Sequence, residues 1–347
     1  MVRAVEYTTS MGGIERNWRT SRVSIHDEHS ERIQLLVDAY GKVDPGVDLR
    51  DIYRHDHLMA MLEVVEPTAL VKQLQGAKEE FQSTMEGMKR TSLEEWDLLA
   101  STGFAFVRGQ TMAGEPVIWL DESRIMPRKL AHSEVYIYFM VWVVLWAIRL
   151  CPPGVSGFVL MSYDRNRSNI DTPLGAYNRV MKAFMQLCGP RLMFISKVCY
   201  VCPKLVTRVI VRFMRKVIGQ SERGSWFDMV EKESDLRDKL VDARCIPEWI
   251  DSEQGMRFEA DKRSVGDFRS FIRDHGDTVQ SMAYFFNPPS TPIITISRDL
   301  LALPSAQSTQ DSNELINEVR SDVDVSPNCS YSELDEIEVD SKVGFWS

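Results

Sequence analysis

Cys202 and Arg208 have the C-x5-R spacing of cysteine phosphatases, in which a thiolate attacks phosphorus while the intervening backbone amides bind the phosphoryl oxygens. The five residues between them read Pro-Lys-Leu-Val-Thr and contain no glycine that would let these amides converge on an anion. Val201 precedes the cysteine, so the histidine that activates the thiol in such enzymes is missing. The sequence therefore argues against a phosphatase, although a thiol enzyme that uses Cys202 stays an alternative.

The run Cys199-Tyr200-Val201-Cys202 has the CxxC spacing of a redox dithiol or of half a zinc site. No second CxxC or HxxxH is present to complete a zinc site, so only the redox role stays open. Two histidine pairs have ligand-like spacing, but they lie among charged residues and we expect them at the surface: His26 with His29, and His55 with His57. Phosphate-loop, dinucleotide, nucleophile-elbow and HExxH motifs are absent as well. We expect no catalytic residue, no metal and no cofactor.

The segment from Pro203 to Ile218 predicts an amphipathic helix. Its basic residues recur at helical spacing: Lys204, Arg208, Arg212, Arg215 and Lys216. A second stripe is apolar: Leu205, Val206, Val209, Ile210, Phe213, Met214 and Val217. A basic stripe beside an apolar stripe is typical of a helix that lies on an anionic lipid surface. A core helix with a solvated basic side is the alternative.

Net charge conceals this basic helix. The chain of 347 residues carries 41 Lys plus Arg against 50 Asp plus Glu, a net charge of −9, which by itself argues against nucleic acid and anionic membranes as partners. Residues 303–347 hold ten of the acidic and two of the basic residues, which leaves 40 acidic and 39 basic residues for the rest. The acidity therefore belongs to the last segment, and the basic helix lies in a nearly neutral body. We therefore still expect no nucleic acid as a partner, but we no longer exclude an anionic membrane.

Two kinds of apolar pattern divide the chain. From residue 30 to 101, apolar residues recur at three- and four-residue steps, which predicts a bundle of three or four helices. Pro67 suits the first turn of one helix and Ser92 the N-cap of another. Farther along, predicted strands at 116–120, 157–163, 191–198 and 226–230 alternate with predicted helices at 133–150, 173–188, 203–218 and 235–243, before a last helical stretch at 264–286. This order predicts an α/β fold with a mostly parallel sheet and right-handed crossovers.

The order and spacing of these elements resemble the CRAL-TRIO lipid-binding family over roughly residues 30–255. Gly114-Glu115-Pro116-Val117 is similar to the Gly-Arg-Pro-Val that opens the family's first strand. Gly189-Pro190-Arg191-Leu192 is similar to its Pro-Glu-Arg-Leu section, and Ile246-Pro247-Glu248 to its closing Leu-Pro section. The family's Asn-x-Pro is replaced by Lys197-Val198-Cys199, and its final Gly-Gly is not kept.

The resemblance implies that helices over the sheet enclose a hydrophobic lipid cavity. Its floor would be lined by sheet residues: Val117, Trp119, Phe158, Leu160, Leu192, Phe194 and Ser196. The helix at 203–218 falls where the family keeps its gate helix, so Phe213, Met214 and Val217 would face the acyl chains. Its five basic residues would contact membrane phosphates while one lipid is exchanged.

Compartment and membrane attachment follow from the apolar runs and the cysteines. The first ten residues have no apolar core, and the six cysteines have irregular spacings, which is typical of reduced thiols inside the cell. The most apolar run, residues 135–148, has 14 uncharged residues, whereas a membrane-spanning helix needs about 20. We therefore expect a cytoplasmic protein that associates peripherally with membranes.

We expect a monomeric, non-enzymatic protein that binds one hydrophobic ligand, a phospholipid or a similar molecule, and exchanges or presents it at membranes. A regulatory or interaction module with a vestigial cavity is the alternative. The predicted divisions are a loose arm at 1–29, a helical bundle at 30–110, a lipid-binding domain at 111–255, a helical extension at 256–302 and an acidic disordered tail at 303–347.

Overall fold

The computed structural model describes residues 27–63, 65–163, 179–180, 182–184, 187, 194–205, 207–209, 211–212, 227–251, 265–274 and 277–289. The predicted tail and nearly all of the predicted arm lie outside these residues.

The described part of the N-terminal region confirms the predicted helical character, with five helices where three or four were expected: α1 (Asp27–Gly41), α2 (Leu49–Ile52), α3 (His55–Leu62), α4 (Pro67–Lys89) and α5 (Leu93–Thr102). Pro67 opens α4, where a missing backbone N–H costs nothing. The Ser92 hydroxyl accepts a hydrogen bond from the Glu95 amide and caps α5, which ends at Gly103 in the left-handed conformation. Local signals thus place these helix ends where the sequence predicts them.

The sheet has five strands in sequential order: β1 (Ala105–Gln110), β2 (Pro116–Leu120), β3 (Phe158–Tyr163), β4 (Ile195–Val201) and β5 (Phe227–Val230). β1 pairs antiparallel with β2, and the other three pairings are parallel. Helix α6 (Glu134–Arg149) connects β2 to β3. The predicted α/β class with a mostly parallel sheet is therefore confirmed.

Four local predictions differ from the structure. β1 was assigned to the helical bundle, but Ala105–Gln110 is an edge strand of the sheet. The strand predicted at 191–198 begins at Ile195 and runs to Val201. The helix predicted at 235–243 is instead two 3-10 helices, Glu233–Lys239 and Ala243–Cys245. The stretch at 264–286 contains two helices, α7 (Phe268–Asp274) and α8 (Thr278–Phe286).

Helix α6 lies at the centre of the core. Almost all of its side chains are buried, because it contacts β1 and β2 as well as the helices α4, α5 and α8. Trp142 of α6 packs edge-on against Phe285 of α8 and Phe268 of α7, and Phe268 stacks on Trp96 of α5. The C-terminal helices are therefore part of one continuous hydrophobic core that the helical region shares with the sheet.

Among the described helices none combines the length and the apolar character required to cross a membrane. The apolar run of α6 is a core helix of 16 residues, and its last turn is anchored by Arg149, which donates to the Tyr284 carbonyl.

Candidate functional site

Strand register assigns the side chains of the sheet to two faces. In β2, β3 and β4, the paired residues Ile118, Leu160 and Val198 share one face, whereas Trp119, Met161 and Cys199 share the other. On the second face, which we call the covered face, side chains of the interior strands are buried: Val159, Met161 and Tyr163 in β3, and Cys199 and Val201 in β4. The two faces of the same strands can thus be compared directly.

The opposite face is only partly covered. It carries two rows of cross-strand neighbours, Ile118-Leu160-Val198-Phe227 and Leu120-Ser162-Tyr200-Met229. Of these eight residues only Ile118 is fully buried, and the other seven keep part of their surface accessible. We call these seven residues the half-exposed face. Interior strands of a parallel sheet are normally buried on both faces. The partly accessible apolar surface on β3 and β4 is therefore the candidate binding surface among the described residues.

The segment that follows β5, residues 231–251, crosses the covered face. The Trp249 ring of this segment lies 5.3 Å from the ring of Tyr163, and Lys239 Nζ lies 3.5 Å from Asp228 Oδ2. The backbone N–H of Phe158, whose side chain lies on the half-exposed face, donates to the Phe194 carbonyl and so points towards β4. Because an L-residue has a fixed hand, β4 therefore lies to the right of β3 when the sheet is viewed from the half-exposed face with the parallel strands running upward. With that order, a right-handed crossover places α6, which joins β2 to β3, over the half-exposed face.

Only part of the predicted cavity floor can line one surface. Leu160 lies on the half-exposed face, but the register puts Val117 and Trp119 on the covered face, and both are fully buried. Phe158 precedes Leu160 by two residues and shares its face, but it is itself buried, so the partly accessible surface of β3 begins at Leu160.

Phe194 belongs to the core between the sheet and the helical region. Its ring contacts His57 of α3 edge-on at 4.9 Å and lies 5.6 Å from the ring of Phe286 in α8. It has no exposed surface and precedes the first residue of β4. Its predicted place in the floor depended on a strand that began four residues too early.

Ser196 is a buried polar residue at the amino end of β4. Its hydroxyl and that of Thr111 hydrogen-bond to the Glu115 carboxylate, and Thr111 Oγ1 lies 2.9 Å from Glu115 Oε2. Burial raises the pKa of Glu115, and these two hydrogen bonds oppose the change. A side chain at Gly157 would clash with the Ser196 hydroxyl, since an added Cβ would lie 2.4 Å from it. Ser196 is therefore held in a buried hydrogen-bonded cluster with Glu115, and its predicted contact with a ligand stays a prediction.

Two lysines converge on Asp228 at the covered face. Lys197 Nζ and Lys239 Nζ lie 3.9 and 3.5 Å from the same carboxylate oxygen. Burial lowers the pKa of Lys197, and the charge of Asp228 opposes this. The Lys239 carbonyl also accepts a hydrogen bond from the Met112 amide, and the Val241 amide donates to the Gln110 carbonyl of β1. Backbone and charged contacts together therefore tie residues 231–251 to β1, β4 and β5.

The predicted basic helix is described at residues 205, 207–209 and 211–212, which are helical. Leu205 and Val209 are 75% and 57% exposed, and Arg212 is exposed beside them, whereas Val211 is the residue that is buried. The structure therefore differs from the prediction of separate stripes, because basic and apolar side chains share one solvent-facing side. Lys204 is exposed as well, and Arg208 is partly exposed with its Nε donating to the Pro203 carbonyl.

Six of the predicted site residues lie outside the described residues: Leu192, Phe213, Met214, Arg215, Lys216 and Val217.

The residues that sequence reasoning missed are the other members of the half-exposed face: Leu120, Ser162, Val198, Tyr200, Phe227 and Met229. The alternation of Leu160 and Ser162 with buried neighbours would have identified the face in β3. In β4 the misplaced strand start concealed it.

Histidine and cysteine side chains do not form a metal site among the described residues. His55 is exposed as predicted, but the prediction that His57 lies at the surface is wrong, because it is fully buried beside Phe194. Arg54 lies 2.8 Å from His57 Nε2 and donates to the Val155 and Cys151 carbonyls, which makes it the centre of a structural cluster.

Cys199 is buried on the covered face, and Cys202 follows β4 in the left-handed region with φ of 48°. Neither of these two cysteines forms a disulfide, and Cys202 is partly exposed.

Comparison with known proteins gives no family: no protein-family model matches the chain, and no curated protein matches it significantly. The geometry of the sheet and of the helix at 205–212 therefore carries the functional argument.

Proposed function

We propose that this protein is a non-enzymatic lipid-binding protein, similar in design to the CRAL-TRIO family, that holds one phospholipid or similar hydrophobic ligand over the sheet and exchanges or presents it at membranes.

The observation that carries the ligand proposal is the half-exposed face. Leu160, Val198 and Phe227 form an apolar row across three strands, and two of these strands are interior. Burial of a CH₂ group contributes about 0.8 kcal/mol, so an alkyl chain laid along this row would be held strongly. A soluble protein that keeps such a surface partly accessible has a use for it, since exposed apolar patches mark binding sites.

The mixed surface at residues 204–212 supports the membrane part of the proposal. Leu205 and Val209 are exposed at a four-residue spacing and would insert among acyl chains, and Arg212 would reach the phosphates.

A transfer assay tests the proposal. Donor vesicles with a fluorescent phosphatidylcholine and unlabelled acceptor vesicles are mixed with the full-length protein, and the lipid is followed as it reaches the acceptors. We expect transfer that rises with protein concentration and is faster to vesicles with phosphatidylserine. Absence of transfer, together with absence of lipid from the purified protein, would reject the proposal.

A thiol enzyme is a second candidate, which one specific observation favours. Cys202 lies at a strand-to-helix junction, at the carboxyl end of an inner parallel strand, with a positive φ that non-glycine residues rarely adopt. Replacement of Cys202 by serine distinguishes the two candidates: a thiol enzyme loses its activity, whereas a lipid carrier keeps its transfer rate.

A further inference from the structure

We infer that residues 126–132, which we call the carboxyl-end loop, form a second contact with anionic membranes, so that the protein docks with the carboxyl end of its sheet against the lipid headgroups. None of these residues was predicted to contact a membrane. The inference rests on the proposed function, and it adds a second docking element and the orientation of the sheet on the bilayer.

The carboxyl-end loop exposes an apolar side chain together with basic ones. Met126 is 59% exposed, and Arg128, Lys129 and His132 are exposed as well. No residue between 126 and 132 is acidic. Basic side chains next to an exposed apolar one suit a lipid surface, because a bilayer offers both phosphates and hydrocarbon. The exposed methionine favours a membrane over nucleic acid, since a phosphate backbone has no hydrocarbon layer to receive it.

Buried side chains and hydrogen bonds hold the carboxyl-end loop in place. Ile125 and Leu130 are buried and fix the chain on the two sides of the exposed tip. The Leu130 amide donates to the Pro127 carbonyl, and the Ser133 hydroxyl donates to the Leu130 carbonyl. The exposed side chains therefore project from a packed turn, which lowers the entropy that docking would cost.

Acidic side chains next to the carboxyl-end loop are buried or engaged by other groups. Asp121 is buried, and the Glu122 carboxylate accepts a hydrogen bond from the Tyr136 hydroxyl. Glu134 is exposed, but its carboxylate lies 3.6 Å from the Arg179 guanidinium, which balances its charge. The charge that this loop presents to a surface is therefore positive.

Strand register places the carboxyl-end loop near the helix at 205–212. Leu120, Ser162 and Tyr200 lie side by side across β2, β3 and β4, so β2 and β4 end at the same level of the sheet. Only β3 separates these two strands, which puts their ends about 10 Å apart. The loop follows β2 and the helix follows β4, so both begin at the same end of the sheet. One bilayer surface can therefore contact both elements.

Acidic residues limit this surface on one side. Glu231 and Asp235 follow the edge strand β5 and are exposed, with Lys232 as the exposed basic residue between them. Anionic headgroups would repel this segment. The bilayer therefore contacts the part of the carboxyl end that belongs to β2 and β4.

Vesicle sedimentation of the full-length protein tests the inference, with vesicles of phosphatidylcholine and phosphatidylserine at low and high salt. In the variant R128Q/K129Q we expect the affinity for these vesicles to fall about thirtyfold, the factor for two basic residues near an anionic surface. The loss should shrink at high salt, because ions screen the attraction in the wild type as well. The variant M126Q should weaken binding severalfold at either salt concentration. It keeps the inference testable if R128Q/K129Q is unstable, because the Met126 side chain is exposed.

Two control variants separate charge from structure and from position. R128K/K129R keeps both charges and should bind the vesicles like the wild type. K42Q/K72Q removes two exposed lysines of the helical region and should also bind like the wild type. Equal binding by the wild type, R128Q/K129Q and M126Q, or equal weakening in K42Q/K72Q, would overturn the inference while the proposed function stands. If the wild type neither binds these vesicles nor transfers lipid, the proposed function itself fails.

Discussion

Phe194 and Leu160 show at the scale of single residues how burial separates structural from ligand-contacting side chains. Phe194 has no exposed surface and packs between His57 and Phe286, so its ring joins the sheet to the helical region. Leu160 keeps one side accessible on the half-exposed face. Substitutions at the two positions should therefore affect different properties of the protein.

We predict that Phe194→Ala lowers the free energy of unfolding by about 3–5 kcal/mol, the usual effect of removing a buried aromatic ring. Leu160→Ala should cost clearly less stability, because part of its side chain is already accessible, but it should weaken ligand binding. Urea denaturation and diphenylhexatriene binding measure the two effects. Similar losses of stability in both variants would show that Leu160 is an ordinary core residue.

His57 gives a prediction for pH. Burial, together with the adjacent Arg54 guanidinium, lowers the pKa of His57 from 6.5 to about 3. The unfolded chain therefore binds a proton between these values that the folded chain does not, so acid favours unfolding. Stability should fall as the pH drops below about 6.5, by about 2 kcal/mol at about pH 5.

The variant His57→Gln should have a shallower dependence of stability on pH over this range. His55→Gln, a control at an exposed histidine of the same helix, should keep the wild-type dependence. Urea denaturation at several pH values measures both. An unchanged slope in His57→Gln would contradict the assignment of a neutral, buried imidazole.

At the scale of elements, features set by local signals could be predicted from the sequence, whereas features set by strand pairing could not. Helix caps and proline positions are local signals, so α4 and α5 were placed correctly. The alternation of strands and helices sufficed for the sheet. The start of β4 depended on pairing with β3, which no local pattern contains. The register between β2 and β3 is not local either: it pairs Ile118, and not Val117 or Trp119, with Leu160. The predicted floor therefore combined residues of both faces.

The exposed side of the helix at 205–212 leads to a prediction about membranes. We predict that Leu205→Gln with Val209→Gln weakens binding to phosphatidylserine vesicles at least about tenfold, because several CH₂ groups no longer enter the bilayer. Thermal stability should not change, since both side chains are exposed. Vesicle sedimentation and thermal melting test the two statements.

Leu35→Gln is the matched control, because Leu35 of α1 is also 60% exposed and lies among acidic and polar neighbours. Its vesicle binding should equal that of the wild type. Equal weakening in both variants would mean that any exposed leucine contributes, and that the helix at 205–212 is not the docking surface.

At the scale of the whole molecule, α7 and α8 complete the core. The sequence suggested an extension at 256–302, but Phe268, Phe285 and Phe286 pack around Trp142 and Phe194. Aromatic residues near the end of a sequence do not reveal whether they fill a core formed by much earlier residues, because such contacts are not local.

Removal of residues 265–347 should consequently abolish cooperative unfolding, since Trp142 and Phe81 lose their partner Phe285. A control truncation of residues 303–347 keeps both helices and should melt like the full chain. Differential scanning calorimetry measures both. A cooperative transition in the shorter fragment would show that α7 and α8 are dispensable to the core.

Native mass spectrometry of the full-length protein, purified without detergent, tests the central claim most directly. We expect a population whose mass exceeds that of the chain by one lipid, and organic solvent or unfolding should release this lipid. If only the mass of the chain is observed, and the protein also takes up no lipid from vesicles, the lipid-binding proposal is contradicted.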